Sequence, residues 1–362
     1  MVEFWRAGGG SEFDPVEAAK IAEAEGWDGQ TFKDTQSIGG DPYVLMGAWA
    51  TATERLKLMT SVTNPFTRHV AVTAGAIATV QAISGGRAVL GIGRGDSALA
   101  FIGRAPVALA TFERSLGELQ TLLAGGKIAF GAQAPGTDAP SLDTLSLGDR
   151  PTGSGLNWLP ANLPKTPLDV AATGPKVIEM AARIAERVTI SVGAIPDRVR
   201  WALEIGRGAR ERAGLPEAGI SYGAQIIVVC HPDREAAMEL AASAVAPLAR
   251  FQVIQGKVQG PVAEGDPENF AALRRAYDMT KHGKTLETSK LVGAQLTPDF
   301  IQRFAVVGPP DHCTARLLEL IDCGLRRFVV VGPGSFPEAG GASRSLFASE
   351  VMPAVRAAIG RR

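Results

Sequence analysis

The chain has 362 residues, of which 46% are hydrophobic and 20% charged, the composition of a soluble globular protein with an ample core. Lysine and arginine together number 37, as do aspartate and glutamate, so the zero net charge argues against a general attraction to nucleic acid or to an anionic membrane. No apolar run reaches the ~20 residues of a membrane span, and three scattered cysteines without CxxC spacing predict neither a disulfide framework nor a metal site.

The amino-terminal part of the chain alternates predicted strands and helices. It begins MVEFWRAGGG, without the apolar region of a signal peptide, so we expect a cytoplasmic protein. A short strand over 2–5 precedes a helix over 15–25, for which Asp14 is a natural N-cap. A second strand over 27–32 and a helix over 41–52 follow.

The central stretch, 56–96, predicts a βαβ unit. An apolar run over 56–62 ends at a turn and predicts a buried strand; alanine-rich helical spacing follows over 70–83. A second strand over 88–92 stops in the glycine-rich turn Gly91, Gly93, Gly95. Because both strands end in unusual chemistry, the carboxyl edge of a parallel sheet is the predicted place for a site.

The rest of the chain continues the same alternation, interrupted twice. The first interruption, 125–167, is rich in Gly, Pro, Ser and Thr, and we expect it to cross the mouth of the site. The second, 249–304, is helical by composition, with basic residues around Lys281, His282 and Lys284. Between and after them we predict strands over 168–172, 188–192, 222–229 and 328–331, and helices over 107–123, 176–186, 196–214, 233–248, 309–323 and 345–359.

Eight strands, each followed by a helix, predict a single-domain (β/α)8 TIM barrel over 1–362 with insertions at about 125–167 and 249–304. An open doubly wound sheet is the less favoured alternative. The glycine turn fails as a dinucleotide fingerprint, because the third glycine would fall at position 96, where the residue is Asp96.

Thr173-Gly174-Pro175-Lys176 is the predicted phosphate site. It follows a barrel strand and opens a helix, so free backbone N–H groups and the positive end of the helix dipole face the mouth. The competing interpretation is plain capping of the helix by Thr173, which needs no ligand.

Several polar residues at strand ends are candidates for chemistry. Arg68 could hold an anion, and His69 is either a structural histidine or an acid–base group. Glu3 and Asp96 are carboxylates that we expect at strand ends inside the mouth, where a raised pKa would allow proton donation. Turn capping by Asp96 and a solvated Glu3 are the structural alternatives.

The central motifs resemble the luciferase-like family of TIM barrels, and within it the branch that uses the deazaflavin coenzyme F420. The pattern is similar to that of methylenetetrahydromethanopterin reductases: V-T-N-P-F-T-R-H at 62–69 and S-G-G-R-x-x-L-G-I-G-x-G-D at 84–96. Matches also occur in A-A-T-G-P-K at 171–176 and V-V-G-P-P-D at 306–311. Arg94 replaces a usual proline and Ser61 a usual glycine, and both insertions depart from the pattern, so the pterin substrate is not carried over.

The resemblance implies a set of site residues. Ser61 and Val62 would be joined by a non-prolyl cis peptide bond that backs the deazaflavin ring, with Thr63 beside it. The phosphate would be held by Thr173, Gly174, Pro175 and Lys176, and the ring lined by Asn64, Gly95 and Asp96. Glu3 aligns with a carboxylate proposed to act in the reductase. We therefore predict that one of Glu3 and Asp96 is the proton donor and that the other tunes its pKa, with His69 as the next candidate.

The function implied is hydride transfer between coenzyme F420 and a small organic substrate by a homodimeric enzyme. The alternative is a two-component flavin monooxygenase, which shares the barrel but uses FMN and oxygen. A barrel that binds a flavin without turnover is the third possibility.

Overall fold

The computed structural model of the chain describes residues 2–8, 14–130, 140, 142–146, 148–254, 256–278, 293–333 and 339–361. Eight parallel strands close into a barrel, because the last strand pairs with the first: Glu3 lies opposite Arg327, and Trp5 opposite Val329. The predicted (β/α)8 barrel is confirmed, and each predicted strand forms. The barrel strands are β1 Glu3–Arg6, β2 Gly29–Phe32, β3 Lys57–Thr60, β4 Ala88–Ile92, β7 Leu168–Ala172, β8 Arg187–Ile190, β9 Ser221–Cys230 and β11 Arg327–Val331.

Helices cover the outside of the barrel, and the first two begin with an aspartate cap. Asp14 accepts a hydrogen bond from the Glu17 amide, and Asp41 accepts from the amides of Tyr43 and Val44. The closing helix starts earlier than predicted and contains a π-helical turn, Phe347–Val351. The helices are α1 Pro15–Ala24, α2 Pro42–Ala52, α3 Val70–Ile83, α4 Ser97–Ala100, α5 Leu109–Leu123, α6 Pro175–Ile184, α7 Pro196–Arg212, α8 Arg234–Ala249, α9 Asp266–Ala276, α10 Pro298–Phe304, α11 Pro310–Asp322, α12 Ala339–Leu346 and α13 Met352–Gly360.

The first insertion lies at the end of the barrel opposite the one predicted. It joins the end of α5 to the start of β7, and both of these points belong to the amino-terminal edge of the sheet. Contacts agree: the Gln81 side chain, near the end of α3, donates to the Pro164 carbonyl, and Lys165 pairs with Glu186 just before β8. The described part contains a small hairpin of β5 (Lys127–Ala129) and β6 (Gly153–Gly155). The prediction that 125–167 crosses the mouth is wrong.

The second insertion does lie at the carboxyl edge, and it is longer than predicted. It leaves at the end of β9 and returns at β10 (Val306–Gly308), which pairs in parallel with the last residues of β9. Helix α8 therefore belongs to it, with α9 and α10. It has its own apolar cluster, which includes Val245, Phe270 and Phe304. Lys281, His282 and Lys284 lie outside the described residues.

None of the helices in the described ranges is both long enough and apolar enough to cross a lipid bilayer.

Candidate active site

The carboxyl ends of the barrel strands surround the mouth of the barrel, which has an apolar floor. Trp5, Met59, Val89 and Val329 form a buried cluster inside the barrel. Two residues beyond Met59 along the same strand direction, Ser61 is partly exposed, as are Val62, Thr173 and Gly174. Side chains on one face of a strand recur every second residue, so the mouth begins directly above this floor.

The segment after β3 has the backbone form that the motif predicts. The peptide bond between Ser61 and Val62 is cis, which confirms the prediction. Thr63 then pairs with the neighbouring strand: its amide donates to the Gly91 carbonyl (3.0 Å), and its carbonyl accepts from the Gly93 amide (2.9 Å). A Cβ at position 93 would lie 3.1 Å from the Val62 side chain, so glycine leaves room for this turn.

A charge network centred on the buried Asp34 supports the same turn, and the sequence reasoning missed Asp34. Asp34 accepts from the Thr63 hydroxyl (2.6 Å) and from Arg68 (2.5 Å), while Arg68 also reaches Asp41 (2.7 Å). Burial lowers the pKa of Arg68, but the two carboxylates outweigh burial and raise the pKa. Arg68 is thus engaged within the protein. The available signal was an aspartate two residues after a strand that ends at the mouth.

Asn64 and His69 both shape local backbone. The Asn64 side-chain oxygen accepts from the amides of Phe66 (3.0 Å) and Thr67 (2.9 Å). The His69 Nδ1 accepts from the Ala71 amide (3.2 Å) and caps α3, which places the proton of a neutral ring on Nε2. The Asn64 Nδ2 and the His69 Nε2 are buried without a hydrogen-bond partner among the described residues, and the roles of both side chains towards a ligand stay predictions.

Asp96 forms an ion pair with a residue of the second insertion. The glycine before it, Gly95, has φ +88°, a conformation that favours glycine. Both carboxylate oxygens of Asp96 contact the Arg250 guanidinium, one of them at 3.1 Å. Only 5% of the Arg250 side chain is exposed, and its guanidinium lies over the rings of Phe251 (4.5 Å) and Tyr277 (5.0 Å). Sequence offered no signal for this contact, because the partners are 154 residues apart.

The start of α6 is open to a ligand. Gly174, and not Thr173, is the N-cap, and no side chain caps the helix, so the interpretation of Thr173 as a cap is wrong. A Cβ at position 174 would meet nothing within 4 Å. Pro175 has no N–H and the Val177 amide donates to the Gly174 carbonyl (3.1 Å), so an anion at this helix end would meet the amides of Gly174 and Lys176. The residues present fit a phosphate group.

Glu3 does not lie in the mouth. It is the first residue of β1 and therefore lies at the amino-terminal edge, where it binds the Trp5 indole (2.9 Å), Lys57 (2.5 Å) and Arg187 (2.9 Å). Burial raises the pKa of Glu3, but Arg187, Lys57 and Trp5 outweigh burial and lower the pKa to about 2. Its predicted position is wrong, and at neutral pH it is an ionised member of a charged layer.

The sequence pattern of the luciferase-like monooxygenase family matches residues 10–327. The chain belongs to this family.

Relatives of this luciferase-like chain extend over most of its length. The 5,10-methylenetetrahydromethanopterin reductase of Methanolobus tindarius is 28% identical over 335 residues, which cover 87% of this chain and 89% of that relative. The F420-dependent glucose-6-phosphate dehydrogenase of Microbacterium testaceum is 26% identical over 321 residues, covering 86% and 82%.

Solved structures with the luciferase-like fold superpose over nearly the whole chain. The coenzyme F420-dependent tetrahydromethanopterin reductase from Methanopyrus kandleri gives a TM-score of 0.71 at 23% identity, covering 97% of this chain and 99% of the other. The monooxygenase RslO1 from Streptomyces bottropensis gives 0.64 at 19% identity, covering 97% and 99%. At these identities the structures establish the shared fold.

Proposed function

We propose that this chain is a coenzyme F420-dependent oxidoreductase that moves a hydride between the deazaflavin and a small organic substrate. The observation that carries the proposal is similarity over more than four fifths of both chains to relatives named as a methylenetetrahydromethanopterin reductase and as an F420-dependent dehydrogenase. An F420-dependent dehydrogenase is a relative by sequence, at 26% identity over most of both chains, whereas the monooxygenases compared are similar in fold alone; this favours the deazaflavin over FMN.

The geometry of the mouth supports the proposal. Coenzyme F420 supplies a ring that accepts or donates a hydride. In our proposal the open amides at the start of α6 bind its phosphate, with Thr173 and Lys176 beside them. The turn at Ser61–Val62 supports the ring from one side, held in place by the Thr63–Asp34 hydrogen bond (2.6 Å). The chain's own task is to position both reactants and to exclude water.

The structure bears on each of the predicted proton donors. Glu3 is withdrawn, since it lies at the other end of the barrel. Asp96 and His69 stay predicted donors, but each already makes contacts within the protein. Both carboxylate oxygens of Asp96 contact Arg250, and the His69 Nδ1 accepts from an amide in the first turn of α3. We therefore assign no donor to the proposed reaction.

Cofactor titration tests the proposal. Coenzyme F420 should bind the purified chain and FMN should bind at least about tenfold more weakly, as followed by quenching of cofactor fluorescence. Gly174→Leu should weaken F420 binding at least about tenfold, because the side chain would fill the space in front of the open amides. Its φ of −99° suits any residue, so the fold should survive.

The matched control is Gly117→Leu, on an exposed position of α5 where a Cβ also meets nothing within 4 Å. It should bind F420 like the wild type. FMN binding with oxygen consumption would support the monooxygenase alternative. Binding of a flavin without turnover of any candidate substrate would support the non-catalytic alternative. Unchanged F420 affinity in Gly174→Leu would place the phosphate elsewhere.

We also propose that the chain forms a homodimer through α2 and α3. Both helices carry exposed apolar side chains, Val44 (74% exposed) and Val72 (59%), and Phe66 (51%) lies in the turn before α3. Exposed apolar side chains on two helices that pack against each other are typical of a protein interface. Val44→Glu combined with Val72→Glu should weaken the dimer at least about a hundredfold, because interface burial of unpaired carboxylates costs several kcal/mol.

Light scattering after size-exclusion chromatography measures the mass. Leu215→Glu, on the loop after α7, is the control and should leave the dimer intact. A wild-type monomer would contradict the proposal outright, and a dimer that survives both glutamates would place the interface on another surface.

A further inference from the structure

The second insertion reaches back over the mouth through a defined segment. We call residues 250–254 and 256–278 the cap segment. Its fixed side is at β8: buried Arg198 donates to the Val192 carbonyl (3.2 Å) and to carbonyls of the cap segment at Gln259 (2.9 Å) and Pro261 (2.6 Å). The Gln252 side-chain Nε2 also donates to the Ser191 carbonyl (2.5 Å). These bonds anchor the cap segment beside one strand only.

Contact with the far side of the mouth comes from Arg250. It follows α8, which leaves from β9, and its partner Asp96 follows β4. In the barrel order β4, β7, β8, β9, these two strands are separated by β7 and β8. The Asp96–Arg250 ion pair therefore spans the carboxyl edge above the strands that lead to Thr173 and Ser191.

The pair is too buried to be a passive surface contact. Exposed ion pairs contribute little, but removing one partner of a buried pair leaves an uncompensated charge. Arg250 keeps 5% of its side chain exposed and Asp96 22%. Aromatic rings of the cap segment, Phe251 and Tyr277, lie against the guanidinium and hold it in the position from which it contacts Asp96.

We propose that the Asp96–Arg250 pair is a strap that holds the cap segment closed on the mouth, with Arg250 and Asp96 as positioning residues. The strap itself follows from the geometry of the chain. Only its consequence for ligands rests on the proposed function, namely that coenzyme F420 and the substrate are retained behind it. Opening is local, since the cap segment belongs to an insertion with its own apolar cluster.

Hydrogen exchange on the ligand-free full chain tests the strap without any cofactor. Arg250→Met and Asp96→Asn should each raise amide exchange in the cap segment at least about tenfold, with the barrel strands unchanged. In the double variant the fold increase in cap-segment exchange should be smaller than the product of the two single fold increases, because neither charge is left unpaired. Arg250→Lys, which keeps the charge but loses the two-pronged contact, should lie between wild type and Arg250→Met.

Glu113→Gln is the control, because it breaks the exposed Glu113–Arg183 pair on the barrel's outer surface. Wild-type exchange in Arg250→Met, or faster exchange spread evenly over the barrel strands, would overturn the strap. A double variant whose fold increase in exchange equals the product of the two single increases would also overturn the strap.

Kinetics with the bound coenzyme separate a strap from a proton donor at Asp96. A strap predicts that Arg250→Met and Asp96→Asn both raise KM and speed coenzyme release, with kcat largely kept. A proton donor predicts a large loss of kcat in Asp96→Asn alone, which would overturn the assignment of Asp96 as a positioning residue. If F420 does not bind at all, the proposed function fails while the exchange result still decides the strap.

Discussion

Replacing Gly91 by alanine is expected to destabilise the chain by more than about 3 kcal/mol. Gly91 lies in β4, and a Cβ built there would overlap the carbonyl oxygen of Thr60 in β3. The obstacle is backbone, so relief requires the two strands to move apart. That movement would also strain the bonds that the Gly91 carbonyl accepts from the Thr60 hydroxyl (2.7 Å) and the Thr63 amide (3.0 Å).

Urea unfolding of the ligand-free protein measures the effect, and Gly117→Ala is the matched control. Gly117 lies on the exposed face of α5 with open space around its Cα, so alanine should stabilise the helix by about 0.5–1 kcal/mol. A Gly91→Ala variant within about 1 kcal/mol of the wild type would mean that β3 and β4 tolerate separation, and that the turn at 61–64 is less rigidly held than the contacts indicate.

Sequence was sufficient for the barrel because its signals are local. Short segments with several apolar residues, alternating with segments of helical spacing, predict all eight barrel strands, even though β2 is Gly-Gln-Thr-Phe. The cis bond at Ser61–Val62 was predicted from the resemblance of the surrounding motif, not from any physical preference of those two residues.

Glu3 and the first insertion were both predicted at the wrong end of the barrel, because the predictions did not use the direction in which the chain runs. Glu3 is the first residue of its strand, so it lies at the amino-terminal edge, while any residue at the mouth must follow a strand. Likewise the segment 125–167 follows a helix and precedes a strand, so it belongs to the amino-terminal edge of the barrel. Chain order alone contained both answers.

Two parts of the site depend on tertiary contacts that no local pattern encodes. Asp34 and Arg68 are 34 residues apart, and Asp96 and Arg250 are 154 apart. Which carboxylate meets which guanidinium is decided by strand order and by the path of the second insertion. The insertion's departure from the family pattern removed the one guide that resemblance could have given.

The second large effect is expected at Glu3, as pH-dependent stability. Burial raises the pKa of Glu3, but Arg187, Lys57 and Trp5 outweigh burial and lower the pKa from 4.5 to about 2. A carboxyl whose pKa is lower in the folded state stabilises the fold above its unfolded pKa, and this contribution is lost as the pH falls through the folded pKa. For a shift of this size the contribution is about 3 kcal/mol at neutral pH, lost between roughly pH 5 and pH 2.

Glu3→Gln should therefore lower the free energy of unfolding by about 3 kcal/mol at pH 7, and the deficit should shrink as the pH falls to 3, because the wild type then begins to lose the same contribution. Urea unfolding at pH 7, 5 and 3 measures this, with Glu179→Gln as control. That variant breaks the exposed Glu179–Arg212 pair and should change stability by less than about 1 kcal/mol at every pH.

Turnover of Glu3→Gln distinguishes the observed position of Glu3 from the position first predicted. Because Glu3 lies at the amino-terminal edge, Glu3→Gln should leave the rate of the chemical step unchanged in the protein that is still folded. A Glu3→Gln variant with wild-type stability but lost turnover would return Glu3 to the chemistry and contradict its place in the charged layer with Lys57 and Arg187.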